Sequence, residues 1–500
     1  MMHKLSKLVR RSAAMLTMLL AMAAAAQGAN HDAREWQERR SRIHDLMGDH
    51  AVAILLSAPQ RQRSADIKWP YRQHNHLVYL SNTTGLDTKL MLINNGRERE
   101  DILFTKLSDP VYEVWEGKLP DAETLRTRSG IDKVFSDDQF HATLRRLLNG
   151  VSIDPEGNAY SEPEFPALFD ALIQEEVEVW LDLGRYRRLH TDAPATAAQQ
   201  LASTLRARFP ELRIRNLSPA LEAMRRIKSE GELDLMQRAI DITAEAHRAA
   251  MLRARDATHE YQIQATIEYT FRNAGACCRA FPSITAGGSN ATVLHYAENN
   301  APLEQGSLLL MDIGAEVAYY AADITRTIPV SGRYSSDQRL VYDTVLKANQ
   351  AAIAAARPGE TFASLTQVSN RLLGDGLLAM GLITENTDEQ VKSYSLHSLG
   401  HSVGMDVHDA FEYHIALESG MVITIEPGLY IRPQDIVATD WYGKLDETQQ
   451  STIDAALQRF GGIGVRIEDE VLITRRGAKN LSADIPVDPE AIEALMASAP

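Results

Sequence analysis

LLLMDIGAEVAYYAADITRTIP, residues 308–329, decides how this chain is read. Two apolar, β-prone runs flank a break at residues 314–318, which is the pattern of a hairpin. Each run carries one aspartate, Asp312 and Asp323, where a strand would normally carry a hydrophobe. A turn centred near Val317 and Ala318 places the two equally far from it, and so predicts cross-strand partners on one face. Side-by-side carboxylates repel, so a positive charge is expected between them.

Downstream, His401 sits in LHSLGHSVGMDVH, residues 396–408, where three histidines are interleaved with glycines. Glycine weakens both helices and strands, so a close approach of the backbone to a ligand or metal is the expected reason for it. Glu426 ends the apolar run at 421–425, just before Pro427 and Gly428. A carboxylate buried there without a partner costs roughly several kcal/mol, which a cation offsets. Glu468 lies in GVRIEDEV, residues 464–471, and shares a strand face with Arg466 and Glu470. Asp312, Asp323, Glu426 and Glu468 carry four negative charges, which two divalent cations balance, and His401 completes the shell. That oxygen-rich set suits Mn²⁺, Fe²⁺ or Co²⁺ better than a thiolate zinc site. Two such ions about 3.5–4 Å apart would hold a bridging hydroxide and clamp the tetrahedral intermediate of amide hydrolysis.

The rest of the chain bounds size, export and partners. Its 500 residues, 44% hydrophobic, suffice for two or more domains with sizeable cores. Lys4, Lys7, Arg10 and Arg11 precede an apolar run at 13–26 that is too short to span a bilayer comfortably. Small residues follow, so residues 1–29 read as a signal peptide cleaved after Ala26 or Ala29, and the protein as exported, periplasmic or secreted. Removing those four positive charges takes the formal net charge from -15 to -19. Such an acidic chain is no partner for nucleic acid or, after cleavage, for a membrane surface. The adjacent Cys277 and Cys278 do not readily close an unstrained disulfide and read as small packing residues.

Residues 30–217 alternate short apolar strands, at 51–56, 89–93, 101–104 and 177–181, with helices at 140–148 and 164–175, so this is an α/β domain. His74 and His76, spaced by two, fit one face of a strand and read mainly as surface or domain-contact residues. A boundary falls near Pro219, and a capping box at Ser229 and Glu232 opens a long amphipathic helix. A second helix stops at Gly275. Strands are expected at 291–296, 421–425 and 465–474, helices at 336–357 and 361–380. The order helix, helix, strands occurs twice, which suggests an internal duplication.

The motifs LHYAEN (294–299), MDIG (311–314), ADITRT (322–327), GHSVGMDVH (400–408), TIEPG (424–428) and GVRIED (464–469) resemble those of the pita-bread metallopeptidases. Within that superfamily they are most similar to the Xaa-Pro aminopeptidase and prolidase branch. LVYLSNTTG (77–85) and VWEG (114–117) resemble the amino-terminal domain that the proline-specific members carry. The resemblance implies an N-terminal α/β creatinase-like domain over 30–217. A C-terminal pita-bread catalytic domain over 218–490 would follow, with a curved antiparallel sheet and a pseudo-two-fold repeat. It implies an exopeptidase that releases the first residue from peptides with proline second, with a dipeptidase of the prolidase type as the alternative. A metal-free pita-bread binding protein is the alternative from another class, and it predicts loss of ligands that are all present here.

By the same resemblance Asp312 holds one metal, Asp323 and Glu468 bridge both, and His401 and Glu426 hold the other. Glu426 also handles the water proton. His295 and His408 correspond to substrate-side catalytic histidines, and His397 and Arg466 to further substrate-pocket positions. Two divalent ions are implied, manganese first, with Co²⁺, Fe²⁺ or Zn²⁺ compatible, and a homodimer or homotetramer. The sequence departs from the family pattern at Ser398, where glycine is usual, at Ser402, often an aromatic, and in a polar insertion at 432–462 with a helix near its end.

Overall fold

The computed structural model describes residues 33–149, 152–153, 159–160, 165–184 and 193–499, so the leader expected over 1–29 lies outside the described residues. The chain divides into two compact units, residues 1–220 and 221–500.

The first unit is built on a six-stranded sheet in the order Arg213–Asn216, Glu178–Leu181, Ala51–Leu56, Lys89–Asn94, Arg99–Thr105, Lys133–Ser136. Ala51–Leu56 pairs antiparallel with Lys89–Asn94 and parallel with Glu178–Leu181. Val52, Ile54, Met91, Ile93, Ile102 and Phe104 form one core with Phe140 and Leu144 of helix Phe140–Asn149 and Ala202 and Leu205 of helix Ala197–Arg208. Helices cover these strands, which is why they read as continuous apolar runs rather than alternating ones. The expected strands and helices of this region are all found. His74 and His76 are not on a strand: the fully buried helix Asn75–Ser81 begins between them, so their spacing marks a helix start.

In the second unit, helix Glu230–Arg253 opens with the expected capping box: Ser229 Oγ accepts from Glu232 N at 3.1 Å and Glu232 Oε2 from Ser229 N at 3.0 Å. The helix holds both arms of the aspartate hairpin. Thr243 Oγ1 accepts from Ala315 N at 3.0 Å, and His247 Nε2 bonds the Ile324 carbonyl at 3.1 Å. Burial, helped by Arg326, lowers the His247 pKa to about 3, so the ring stays neutral and donates.

The hairpin turns one residue later than the sequence suggests. Val317 pairs with Tyr320 across a two-residue turn in which Ala318 and Tyr319 have positive φ, 48° and 76°, as a turn matched to strand twist requires. Asp312 therefore faces Thr325, and Asp323 falls opposite Gly314. The partner has moved by two residues, so the aspartates still share a face. Only glycine fits at 314, because a Cβ there would lie 1.7 Å from the Ala322 carbonyl oxygen.

The architecture repeats. Helices Glu230–Arg253 and Glu260–Asn273 precede an antiparallel sheet of Ile284–Gly287, Leu308–Ile313 and Ile324–Pro329. Helices Ser336–Ala355 and Phe362–Ala379 then precede one of Val422–Ile425, Asp469–Thr474 and Gly477–Asn480.

Two further expectations fail. Residues 291–296 form no strand: a 3-10 segment, Gly288–Thr292, and a turn replace it, because Gly287 N and Asn290 Nδ2 both donate to the buried Glu260 carboxylate. The helix expected near the end of 432–462 is present as Glu447–Phe460, and the segment packs with Ile436, Trp441, Ile453, Leu457 and Phe460 buried. Cys277 and Cys278 are exposed, so they are not core packing. Among the described residues no helix is long and apolar enough to cross a membrane.

Candidate metal centre

The two repeats each contribute candidate ligands to one cluster. From the first sheet come Asp312, in strand Leu308–Ile313, and Asp323, at the entry to Ile324–Pro329. Glu468 lies in the step between strands Gly464–Arg466 and Asp469–Thr474, where its backbone N donates to the Thr325 carbonyl at 3.1 Å. Its Oε2 accepts from Thr325 Oγ1 at 2.8 Å, which aims the side chain at the aspartates. One carboxylate oxygen from each of Asp312, Asp323 and Glu468 lies within 4.8 Å of the others, and the same holds for ligand atoms of His401, Glu426 and Glu468 and of Asp323, His401 and His408.

His401 is held by the second sheet. Its N donates to Thr424 Oγ1 at 3.0 Å, and its carbonyl accepts from Thr424 N at 2.8 Å. Its Nδ1 bonds the Ser402 carbonyl at 3.1 Å, which puts the proton on that nitrogen and leaves Nε2 as the free lone pair. Nε2 lies 3.4 Å from Asp323 Oδ2 and 3.5 Å from Glu426 Oε1. The His401 and His408 ring centroids are 4.2 Å apart. The glycines of this loop also have a packing cause. A Cβ at Gly400 would lie 2.0 Å from the Thr424 carbonyl oxygen and one at Gly404 would lie 2.1 Å from Asp409 Oδ2. They permit the strand contact at Thr424 and the buried carboxylate of Asp409.

His397 and Arg466 meet at Tyr430, whose hydroxyl lies 2.7 Å from His397 Nε2 and 2.8 Å from Arg466 Nη1. Arg466 Nη2 also donates to Asp312 Oδ2 at 2.6 Å, and His397 Nδ1 lies 3.6 Å from Glu426 Oε2. His295 stands apart. It is exposed in the turn after Gly288–Thr292 and belongs to none of the converging groups.

The electrostatics call for cations. Asp323 is pushed well above the usual carboxylate range by burial and then by Asp312 and Glu426, and Glu468 by burial and then by Asp323 and Glu426. Asp312 Oδ1 is buried without a hydrogen-bond partner. An orphaned carboxylate oxygen, crowded like charges and an imidazole with its lone pair aimed inward together form a donor set that fits divalent metal.

Residues 234–475 match the model of Metallopeptidase family M24, and residues 36–153 that of the aminopeptidase P N-terminal domain. The Xaa-Pro aminopeptidase of Escherichia coli K12 is 31% identical over 476 residues, spanning 93% of this chain and 98% of its own. Human Xaa-Pro aminopeptidase 3 is 31% identical, across 93% of this chain and 86% of its own. The structure of E. coli aminopeptidase P with the inhibitor Pro-Leu has a TM-score of 0.77 at 30% identity, covering 94% of this chain and 99% of that one. The chain belongs to metallopeptidase family M24. Members of that family bind divalent metal, and the chain pairs an N-terminal α/β unit with a second unit of antiparallel sheets that carries the acidic cluster.

Several residues that support this candidate centre escape a reading of the sequence. Asn349, buried in helix Ser336–Ala355, donates to the Ile425 carbonyl at 2.9 Å and the Ile467 carbonyl at 3.3 Å, fixing the residues just before Glu426 and Glu468. Glu470 Oε1 accepts from Asp323 N at 2.7 Å. Buried Asp409, beside His408, is clasped by Arg225 at 2.6 Å and Lys228 at 3.2 Å. The charged ones carry a signal, a charge inside an apolar or glycine-rich segment. Asn349 and Tyr430 carry none.

Proposed function

We propose that the chain is a Xaa-Pro aminopeptidase, which removes the amino-terminal residue from peptides whose second residue is proline. The observation that carries this reading is likeness to enzymes of that name over nearly the full length of both units.

Asp312 would hold one ion, Asp323 and Glu468 both, and His401 and Glu426 the other. When bound, two divalent ions supply the positive charge that lets water ionise near neutrality and that polarises the scissile carbonyl. Glu426 accepts the proton of the attacking water and returns it to the departing proline nitrogen. His295 and His408 donate hydrogen bonds to the carbonyl oxygen and the leaving group as charge develops there. Arg466 and His397, joined through Tyr430, keep Asp312 and Glu426 oriented and border the substrate. Manganese is the first choice of metal because the donors are four carboxylates and one imidazole, with no thiolate. The basic, then apolar, leader supports export to the periplasm or medium, with domains 30–217 and 218–490 remaining. A dimer or tetramer is the expected assembly.

The test compares Xaa-Pro-Yaa-Zaa with Xaa-Pro on purified protein supplied with Mn²⁺. Release of the first residue from the longer peptide supports the assignment. Hydrolysis of the dipeptide alone replaces it with a dipeptidase, and protein without bound metal or metal-stimulated activity replaces it with a metal-free binding protein.

A further inference from the structure

The first unit carries a histidine pair that the peptidase reading does not use. His74 is the residue before helix Asn75–Ser81, with extended backbone (φ -64°, ψ 128°), and His76 lies in the first turn. Both imidazoles turn toward Asp182, the residue after strand Glu178–Leu181. Asp182 Oδ2 lies 2.7 Å from His76 Nδ1 and 3.6 Å from His74 Nδ1. Ser218 Oγ donates to the other carboxylate oxygen, Oδ1. The ligand atoms of the three residues fall within 4.8 Å of one another.

We propose that His74, His76 and Asp182 form a binding site for a single divalent transition cation of the zinc class.

The two distances distinguish this from a plain ion pair. One imidazole suffices as hydrogen-bond partner for Asp182, and His76 is that partner. His74 Nδ1 sits beyond hydrogen-bond reach of the oxygen it approaches. Two ligands on a tetrahedral ion with bonds of about 2.0–2.1 Å stand about 3.3–3.5 Å apart, close to the His74 separation. His76 needs only a small rotation to open its shorter contact to the same span.

The surroundings fit as well. The Ser218 hydroxyl fixes the carboxylate plane and leaves Oδ2 to the ion, the support that ligating carboxylates receive in metal sites. Among the described residues no lysine or arginine is paired with Asp182. His76 is buried and Asp182 partly buried while the His74 side chain is 48% exposed, which gives a cation a way in and water a place in its shell. Two imidazoles and one carboxylate favour Zn²⁺, Ni²⁺ or Cu²⁺ over Mn²⁺, so this site and the carboxylate centre select different ions.

Zinc titration of the full chain against a competing chromophoric chelator tests this. Because His74 is half-exposed, His74→Ala spares the fold. We expect wild type to bind one more equivalent of Zn²⁺ than His74→Ala. In an Asp323→Asn background, which disables the other centre, one equivalent should remain and vanish when His74→Ala is added. Ser218→Ala should weaken that equivalent roughly 10–100-fold. Equal zinc counts in wild type and His74→Ala, or no His74-dependent zinc in the Asp323→Asn background, would overturn the proposal. Neither outcome depends on peptidase activity.

Discussion

Tyr430 joins two residues that border the metal centre. Its hydroxyl takes a hydrogen bond from Arg466 and meets His397, and burial pushes its pKa up to about 12, so it remains a neutral phenol that can serve both. Tyr430→Phe removes that link while Arg466 keeps its bond to Asp312. Turnover should drop roughly 10–100-fold with metal content near normal. Steady-state kinetics beside elemental analysis checks this, and loss of metal would show that the link supports the ligands themselves. A paired comparison separates ligands from substrate residues. Asp323→Asn should abolish metal binding and activity together, whereas His295→Ala should slow turnover and keep the metal, since His295 lies outside the converging groups. If His295→Ala strips the metal, the assignment of both is wrong. The converging acidic residues and His401 were legible as candidates because each is a charge or imidazole set in an apolar or glycine-rich run. Tyr430 was not, because an aromatic in a short apolar strand is ordinary core.

Among the elements, the hairpin shows what a sequence pattern resolves. Two apolar, β-prone runs flanking a break identified two strands and one shared face, and both are present. It did not locate the turn, because Ala318 and Tyr319 adopt positive φ without the glycine or asparagine that usually announces such a turn. The face survived the error because side chains repeat every two residues, and the partner moved by two. Glycines were visible, but not their neighbours. Gly400→Ala places a methyl 2.0 Å from the Thr424 carbonyl oxygen, on the strand contact that holds His401. The backbone must part there, so unfolding free energy should fall by about 1–3 kcal/mol. Metal affinity should fall with it, because the contact set by Thr424 aims His401. Urea denaturation and metal titration on the same preparation decide this. A variant with full stability and affinity would mean that the loop yields without moving its histidine.

The whole second unit buries acid that the folded chain tolerates only in company. Unfolded, Glu470 titrates near 4.5, whereas burial in the fold raises it to about 8. Between those values the metal-free folded chain holds a proton that the unfolded chain has released, so folding loses stability as pH rises across that window. The slope is roughly 1.4 kcal/mol per pH unit for each such group. Asp323 and Glu468 are displaced in the same direction, by burial first and by their carboxylate neighbours after it. Divalent ions reverse the balance, since they bind the deprotonated ligands and stabilise only the chain that assembles them. Chelation should therefore destabilise the protein at any neutral pH, and more at about pH 8 than at about pH 5, where the protons already neutralise part of the cluster. Thermal unfolding of chelator-treated and metal-loaded protein at the two pH values measures the gap directly. A gap of equal size at both, or one wider in acid, would mean that the cluster's charge is met by something other than metal.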